Sequence, residues 1–302
     1  MNITADHKNT KNPDYWNDLI GGTTSQYKEA VMAELISRHL KRQVNCIADI
    51  GCGTCETILK YGKLLKAKKL ICTDYDAKII EAMKLKHQDK PIEWRTADLF
   101  ELKSFNEQLD LVFFMDMLHE IYSFYGRPQK DLKFAVDHQT GQKFVKQAVQ
   151  NIAQFVTPGG GILITDNVLC EQNVSLRVQL QHAEVIEAVQ RFFEEYSTKL
   201  LPHQLSKTGE LTINSRDFCI LLTQYNKIKR QDWKRWSTER YEIHQYMTLS
   251  EYTQMFRDLG FQVHAVIGTP QETRDEWEED FKVLSGLSQI PEKRITLLAI
   301  KQ

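Results

Sequence analysis

The sequence lacks a long apolar run, an excess of either charge and a cysteine framework, and each absence removes a class of protein. Without a run long enough to cross the hydrocarbon core, a membrane-spanning helix is not expected. The first fourteen residues are polar and lack the apolar segment of a signal peptide, so the expected location is the cytoplasm, either of the source cell or of a host. Lysine and arginine number 39 against 40 aspartates and glutamates, a formal net charge of -1. That balance provides no global field for nucleic acid or an anionic membrane and leaves only a local patch open. Six cysteines in 302 residues do not form a disulfide framework. Two of them, Cys52 and Cys55, make a C-x-x-C inside a glycine turn. A redox pair or half a zinc site is one reading. With no second C-x-x-C and no matching histidine pair, small residues filling a tight turn is the better one.

What is present is an alternation of short apolar runs with helical periodicity. Residues 44–50, 69–73, 92–95, 109–115 and 161–165 read as strands, and residues 57–65, 77–86 and 142–155 as the helices between them. This rhythm predicts an α/β fold: a Rossmann-like, mostly parallel seven-stranded sheet with helices on both faces. A helical N-terminal extension is expected before it, from Tyr15 to about His39, behind a polar tail. After Asn167 the rhythm breaks. Leu176, Leu180, Ala183, Ile186, Val189, Phe193 and Tyr196 share one face of a long helix, which predicts a helical insertion between strands 5 and 6. Thr248 to Glu251 has the form of a capping box, the helix it opens stops at Gly260, and residues 261–267 and 295–300 read as the last two strands. The expected division is a tail and helices over 1–42, a cofactor-binding half over 43–168, a lid over 169–247 and the end of the core over 248–302.

The first crossover carries the chemistry. A buried strand ends in Asp49, followed by Gly51, Cys52 and Gly53 and then a helix. Glycines at such a turn let backbone approach a ligand and adopt positive φ. A dinucleotide site needs a small residue three positions after the second glycine, and here that residue is Glu56, a poor neighbour for a pyrophosphate. S-adenosylmethionine has no phosphate, and an acid near the turn attracts its cationic end. Asp74, with Tyr75 beside it, ends the second strand where a carboxylate accepts hydrogen bonds from both ribose hydroxyls. Asp98 follows the third strand, placed to accept from the adenine amine while Leu99 covers the ring.

Residues 44–167 resemble the core of the class I, Rossmann-like S-adenosylmethionine-dependent methyltransferases. Asp49 to Thr54 resembles the first motif, Asp74 the second-strand acid, Asp98 the adenine contact, and Asp116 to Glu120 the motif that faces the transferred methyl group. The residues from Pro158 to Gly161 and the pair Gly260-Phe261 resemble the turns before later strands. Cys55 departs from the pattern, standing where the family often has a third glycine. The resemblance implies S-adenosyl-L-methionine as cofactor and a hydroxyl or amine of a small molecule as acceptor. His119 is the best candidate base because its ordinary pKa is near neutrality, with Asp116 and Glu120 beside it.

Asp116, Asp166 and Asn167 also resemble the Mg²⁺ ligands of catechol O-methyltransferases, although the insertion does not, and no metal is the favoured reading. Phe192, Phe193, Tyr196, Phe218 and Tyr225 are candidates for an acceptor wall or for the insertion's own core. The basic, aromatic run from Lys227 to Trp236 offers a less favoured alternative: an RNA or protein acceptor. A catalytically inactive cofactor-binding partner subunit is a further alternative. Oligomeric state is not readable.

Overall fold

The computed structural model describes residues 23–101 and 105–302. The tail and the part of the N-terminal helix expected before residue 23 lie outside the described residues. Helix α1 (Thr23–His39) leads into strand β1 (Cys46–Ile50). Then come α2 (Glu56–Leu64), β2 (Lys69–Asp74), α3 (Ala77–Lys86), β3 (Ile92–Thr96), β4 (Leu109–Met115), α4 (Leu118–Tyr125), α5 (His138–Ala153) and β5 (Val156–Asn167).

The insertion contains β6 (Ser175–Leu180), α6 (Ala183–Glu195), β7 (His203–Leu205), β8 (Glu210–Asn214), α7 (Ser215–Lys229) and α8 (Trp233–Glu239). The chain closes with α9 (Leu249–Asp258), β9 (Phe261–Gly268), α10 (Gln271–Asp280), β10 (Phe281–Ser285) and β11 (Arg294–Lys301).

The central sheet has seven strands in the order β3-β2-β1-β4-β5-β11-β9. The first five run parallel, and β11 is antiparallel to both neighbours. Every residue of β1 is buried, as are the first six of β4, because helices cover both faces. The order reverses between β1 and β4, so the carboxyl ends of these strands open a crevice for a ligand. The capping box at Thr248 and Glu251 is present, and Gly260 stops α9 with φ 81°, a backbone angle that favours glycine.

The insertion carries helices and also a second sheet, β10-β6-β8-β7. The single helix expected over 176–196 is instead a strand followed by a helix. Leu176 and Leu180 fit both a helical and a two-residue repeat, and the intervening Val178 decides: Leu176, Val178 and Leu180 are buried while Arg177 is exposed. Strand β10 comes from beyond residue 247 and pairs with β6, so the C-terminal segment contributes to both sheets. Phe192, Tyr196, Phe218 and Tyr225 pack inside the insertion as its core. Among the described residues no helix is long and apolar enough to cross a membrane.

Candidate active site

The turn after β1 hangs from the end of β2: the Gly51 and Cys52 amides both donate to the Thr73 carbonyl, at 2.9 and 3.0 Å. Gly51 has φ 67°, and a Cβ there would sit 3.1–3.3 Å from three carbons of Met117. The bare backbone is therefore required on both conformational and steric grounds. Cys55 caps α2 in the left-handed region at φ 62°, where glycine is the unstrained choice. Its thiol meets those of Cys52 and Cys72, all three buried and within 4.8 Å of one another. The strand register placed Cys72 there, opposite Asp49. Hydrogen bonds from Cys52 and Cys72 lower the Cys55 thiol to about 6.

In front of this turn lies a cavity of about 220 Å³. Of the residues expected to bind a cofactor, Gly51, Asp74, Tyr75, Asp98 and Leu99 line it, together with Ile50, Phe100 and Met117. Asp49, Cys52 and Gly53 do not line it. Asp49 sits behind the turn, fully enclosed, and its Oδ1 has no hydrogen-bond partner. Burial pushes its carboxyl well above the usual range. Asp74 accepts from the Asp76 amide at 2.9 Å; burial, with Cys52 adding to it, pushes its carboxyl up to about 7. Asp98 accepts from the Phe100 amide at 2.8 Å at the exposed rim. Phe100 stacks obliquely on Tyr125, ring centres 4.6 Å apart, and this pair forms an aromatic wall beside Leu99.

The opposite end of the cavity is made by α4, the turn after it and the end of the insertion. Glu120, Phe124, Tyr125, Arg127, Tyr241 and Glu242 contribute. Arg127 ties these segments together: its guanidinium donates to the carbonyls of Ser123, Phe134 and Tyr241. The Ile243 amide donates to Ser123 Oγ at 2.8 Å. Phe100, Met117, Tyr241 and Glu242 were not singled out from the sequence. Phe100 had a signal, its place beside Asp98 and Leu99; Glu242 had none, since only the folded insertion brings it to the core.

Asp116 and His119 do not line the cavity. Asp116 closes β4 with φ 51°, and its carboxylate pairs with Lys28 Nζ at 2.6 Å and with the buried guanidinium of Arg294. Burial opposes the charge, but Arg294 and Lys28 hold the carboxyl well below its ordinary value. Arg294 also donates to Asn167 Oδ1 at 3.3 Å. Asp166 accepts from the His119 amide and from His119 Nδ1, at 3.1 and 2.8 Å. The alternative Mg²⁺ set of Asp116, Asp166 and Asn167 is thus divided among Lys28, Arg294 and His119 and does not converge on an ion. His119 is also a poor base: burial works against its charge, yet Asp166 and Glu242 raise the imidazole well above its ordinary value. The expectation of a near-neutral histidine fails because two carboxylates flank it.

A cavity whose turn presents bare backbone, whose acids sit at the ends of successive strands and whose wall is apolar and aromatic fits a cationic, hydroxyl-rich nucleoside. The strand order above is that of a Rossmann-like, doubly wound sheet. Residues 47–160 match the model of a family described as a methyltransferase domain. This stretch, from β1 to the start of β5, is thus similar to a methyltransferase domain.

Among solved structures, an S-adenosylmethionine dependent methyltransferase from Mesorhizobium loti shares the fold, with a TM-score of 0.52 at 14% identity over 93% of this chain and 99% of the other. The YcgJ protein of Bacillus subtilis (TM-score 0.48, 13% identity, covering 92% and 99%) is also similar. So is the N-methyltransferase NodS of Bradyrhizobium japonicum (0.45, 10% identity, 93% and 97%). No curated protein sequence matches the chain.

Proposed function

We propose that the chain transfers the methyl group of S-adenosylmethionine to a hydroxyl or amine of a small molecule. The observation that supports this most is that one cavity joins the cofactor turn at Gly51 to Glu120, Tyr241 and Glu242. Donor and acceptor would lie in the same enclosed space, where orientation lowers the barrier.

When bound, the cofactor supplies an electrophilic methyl on a sulfonium. Gly51 would give it backbone to lie against, Asp74 would accept from the ribose, and Leu99 with Phe100 would cover the adenine. Tyr241 and Glu242 of the insertion exclude water from the acceptor end. Glu120, in the first turn of α4, is the expected acid that reaches the cavity and takes the acceptor's proton. His119 and Asp116 act by holding the ends of β4 and β5.

A small acceptor fits better than RNA because the basic run is neutralised within the fold. Lys227 pairs with Glu239, Lys229 with Asp280, Arg230 with Glu276 and Arg235 with Asp232, while Trp236 is buried. Cations already paired gain little from phosphates.

Calorimetry of the full chain with S-adenosylmethionine and with NAD tests the cofactor half; binding of NAD alone would overturn it. A screen of phenols, catechols, amines and tRNA with labelled donor tests the acceptor half. Label appearing on tRNA and on no small molecule would refute the small-molecule reading.

A further inference from the structure

Behind the acceptor end of the cavity, three donor side chains from two separate segments converge. His119 comes from the start of α4, and Glu242 and His244 from the stretch that follows α8. Their donor atoms lie within 4.8 Å of one another and all three residues are buried. His119 Nε2 is 3.6 Å from Glu242 Oε2, and His244 Nε2 is 3.8 Å from the same oxygen. Ligands bonded at ordinary Zn–N and Zn–O lengths in a tetrahedron stand about 3.4 Å apart, so only a small contraction is needed.

His119 is already oriented as a ligand. Asp166 accepts from its Nδ1 at 2.8 Å, which fixes the ring with Nε2 facing Glu242, where a metal ion would displace the Nε2 proton. His244 is nine-tenths buried, its Nε2 makes no hydrogen bond, and its ring lies 4.3 Å from that of His119. Two imidazoles approach one carboxylate through their Nε2 atoms, the donor arrangement a cation requires. Glu239 lies 3.4 Å from His244 Nε2 but is held by Lys227 at 2.8 Å, so it remains an outer acid.

We propose that His119, Glu242 and His244 bind one divalent transition-metal ion, with zinc the best match to two imidazoles and a carboxylate. Glu242 alone of the three lines the cavity, which would put the ion in the cavity wall with one position left for an exogenous ligand. Metal binding here is independent of methyl transfer and is tested without it.

The full chain, stripped of metal and titrated with Co²⁺, should bind one ion with the strong visible absorption of a four-coordinate site, displaced by Zn²⁺. Elemental analysis of the untreated protein should give one metal per chain. His244→Ala and Glu242→Gln should each weaken Co²⁺ binding by about a hundredfold or more. Asp74→Ala, which alters the cofactor end, should leave the titration unchanged while weakening S-adenosylmethionine. Absence of Co²⁺ absorption in the unaltered chain would overturn the proposal. So would an unchanged titration in either ligand variant shown by circular dichroism to be folded.

Discussion

Lys28 Nζ lies 2.6 Å from Asp116 Oδ2, and Arg294 approaches the other oxygen of the same carboxylate. Helix α1, the end of β4 and the start of β11 are thereby fastened at one acid. Arg294 is buried, so removing its partner leaves an uncompensated charge. Asp116→Ala is expected to cost about 2–4 kcal/mol of unfolding free energy in denaturant titration. Asp116→Asn keeps a residue type that tolerates positive φ and accepts from Arg294, so its loss should be smaller. Equal losses in the two variants would show that charge and hydrogen bonding there are irrelevant.

At Gly51 the steric and conformational demands can be separated. Gly51→Ala is expected to destabilise the protein by about 1–2 kcal/mol, from the left-handed angle and from contact with Met117. Adding Met117→Ala relieves only the contact, so the double variant should recover part of the loss relative to Met117→Ala alone. A simple sum of the two single effects would argue against the contact.

Asp74 should make cofactor binding depend on pH. Its carboxyl titrates at about 7, and the ionised form is the one that accepts from two hydroxyls. For a single proton, S-adenosylmethionine should bind about tenfold more weakly at pH 6 than at pH 8. Asp74→Asn should bind weakly and flatten the profile. Without cofactor the sign is opposite for stability. A folded-state pKa raised above the unfolded value of about 3.9 gives a contribution that is full below that value and lost as pH rises through about 7. Calorimetric dissociation constants and denaturant midpoints across this range check both halves.

The insertion's basic run is expected to matter for stability rather than for nucleic acid. Lys229 and Tyr225 both bond to Asp280, which is fully buried. Lys229→Ala should therefore lower stability by about 3 kcal/mol, because the buried carboxylate loses its counter-charge and keeps only the Tyr225 hydroxyl. Its retention on immobilised tRNA should not change. A drop in tRNA retention with stability intact would reverse this assignment.

The strand-end half of the candidate site was legible in part, because its signals are local: Gly51, Asp74, Tyr75, Asp98 and Leu99 line the cavity, while Asp49, Cys52, Gly53 and Asp116 do not. Asp49 to Gly53, Asp74 and Asp98 follow their strands by fixed offsets, and parallel pairing in register brings those ends together. The strand-helix rhythm predicted the central sheet, and period two against period four was ambiguous only where β6 begins. The acceptor half was not legible. His119 looked like a near-neutral base because nothing adjacent in sequence reveals Asp166, 47 residues away, or Glu242 beyond it. Asp116 looked open to a ligand because its partners, Lys28 and Arg294, come from opposite ends of the chain.

The sequence alone therefore determined the sheet, the bare-backbone turn and the acids at the strand ends, since each follows from short-range periodicity and from which residues tolerate positive φ. Which side chains face the cavity, which charges are cancelled and which imidazoles meet were decided only by the packing of α1, β11 and the insertion against the core. Electrostatics and donor geometry depend on distances in space, and those distances are set by packing between segments that are far apart in the chain.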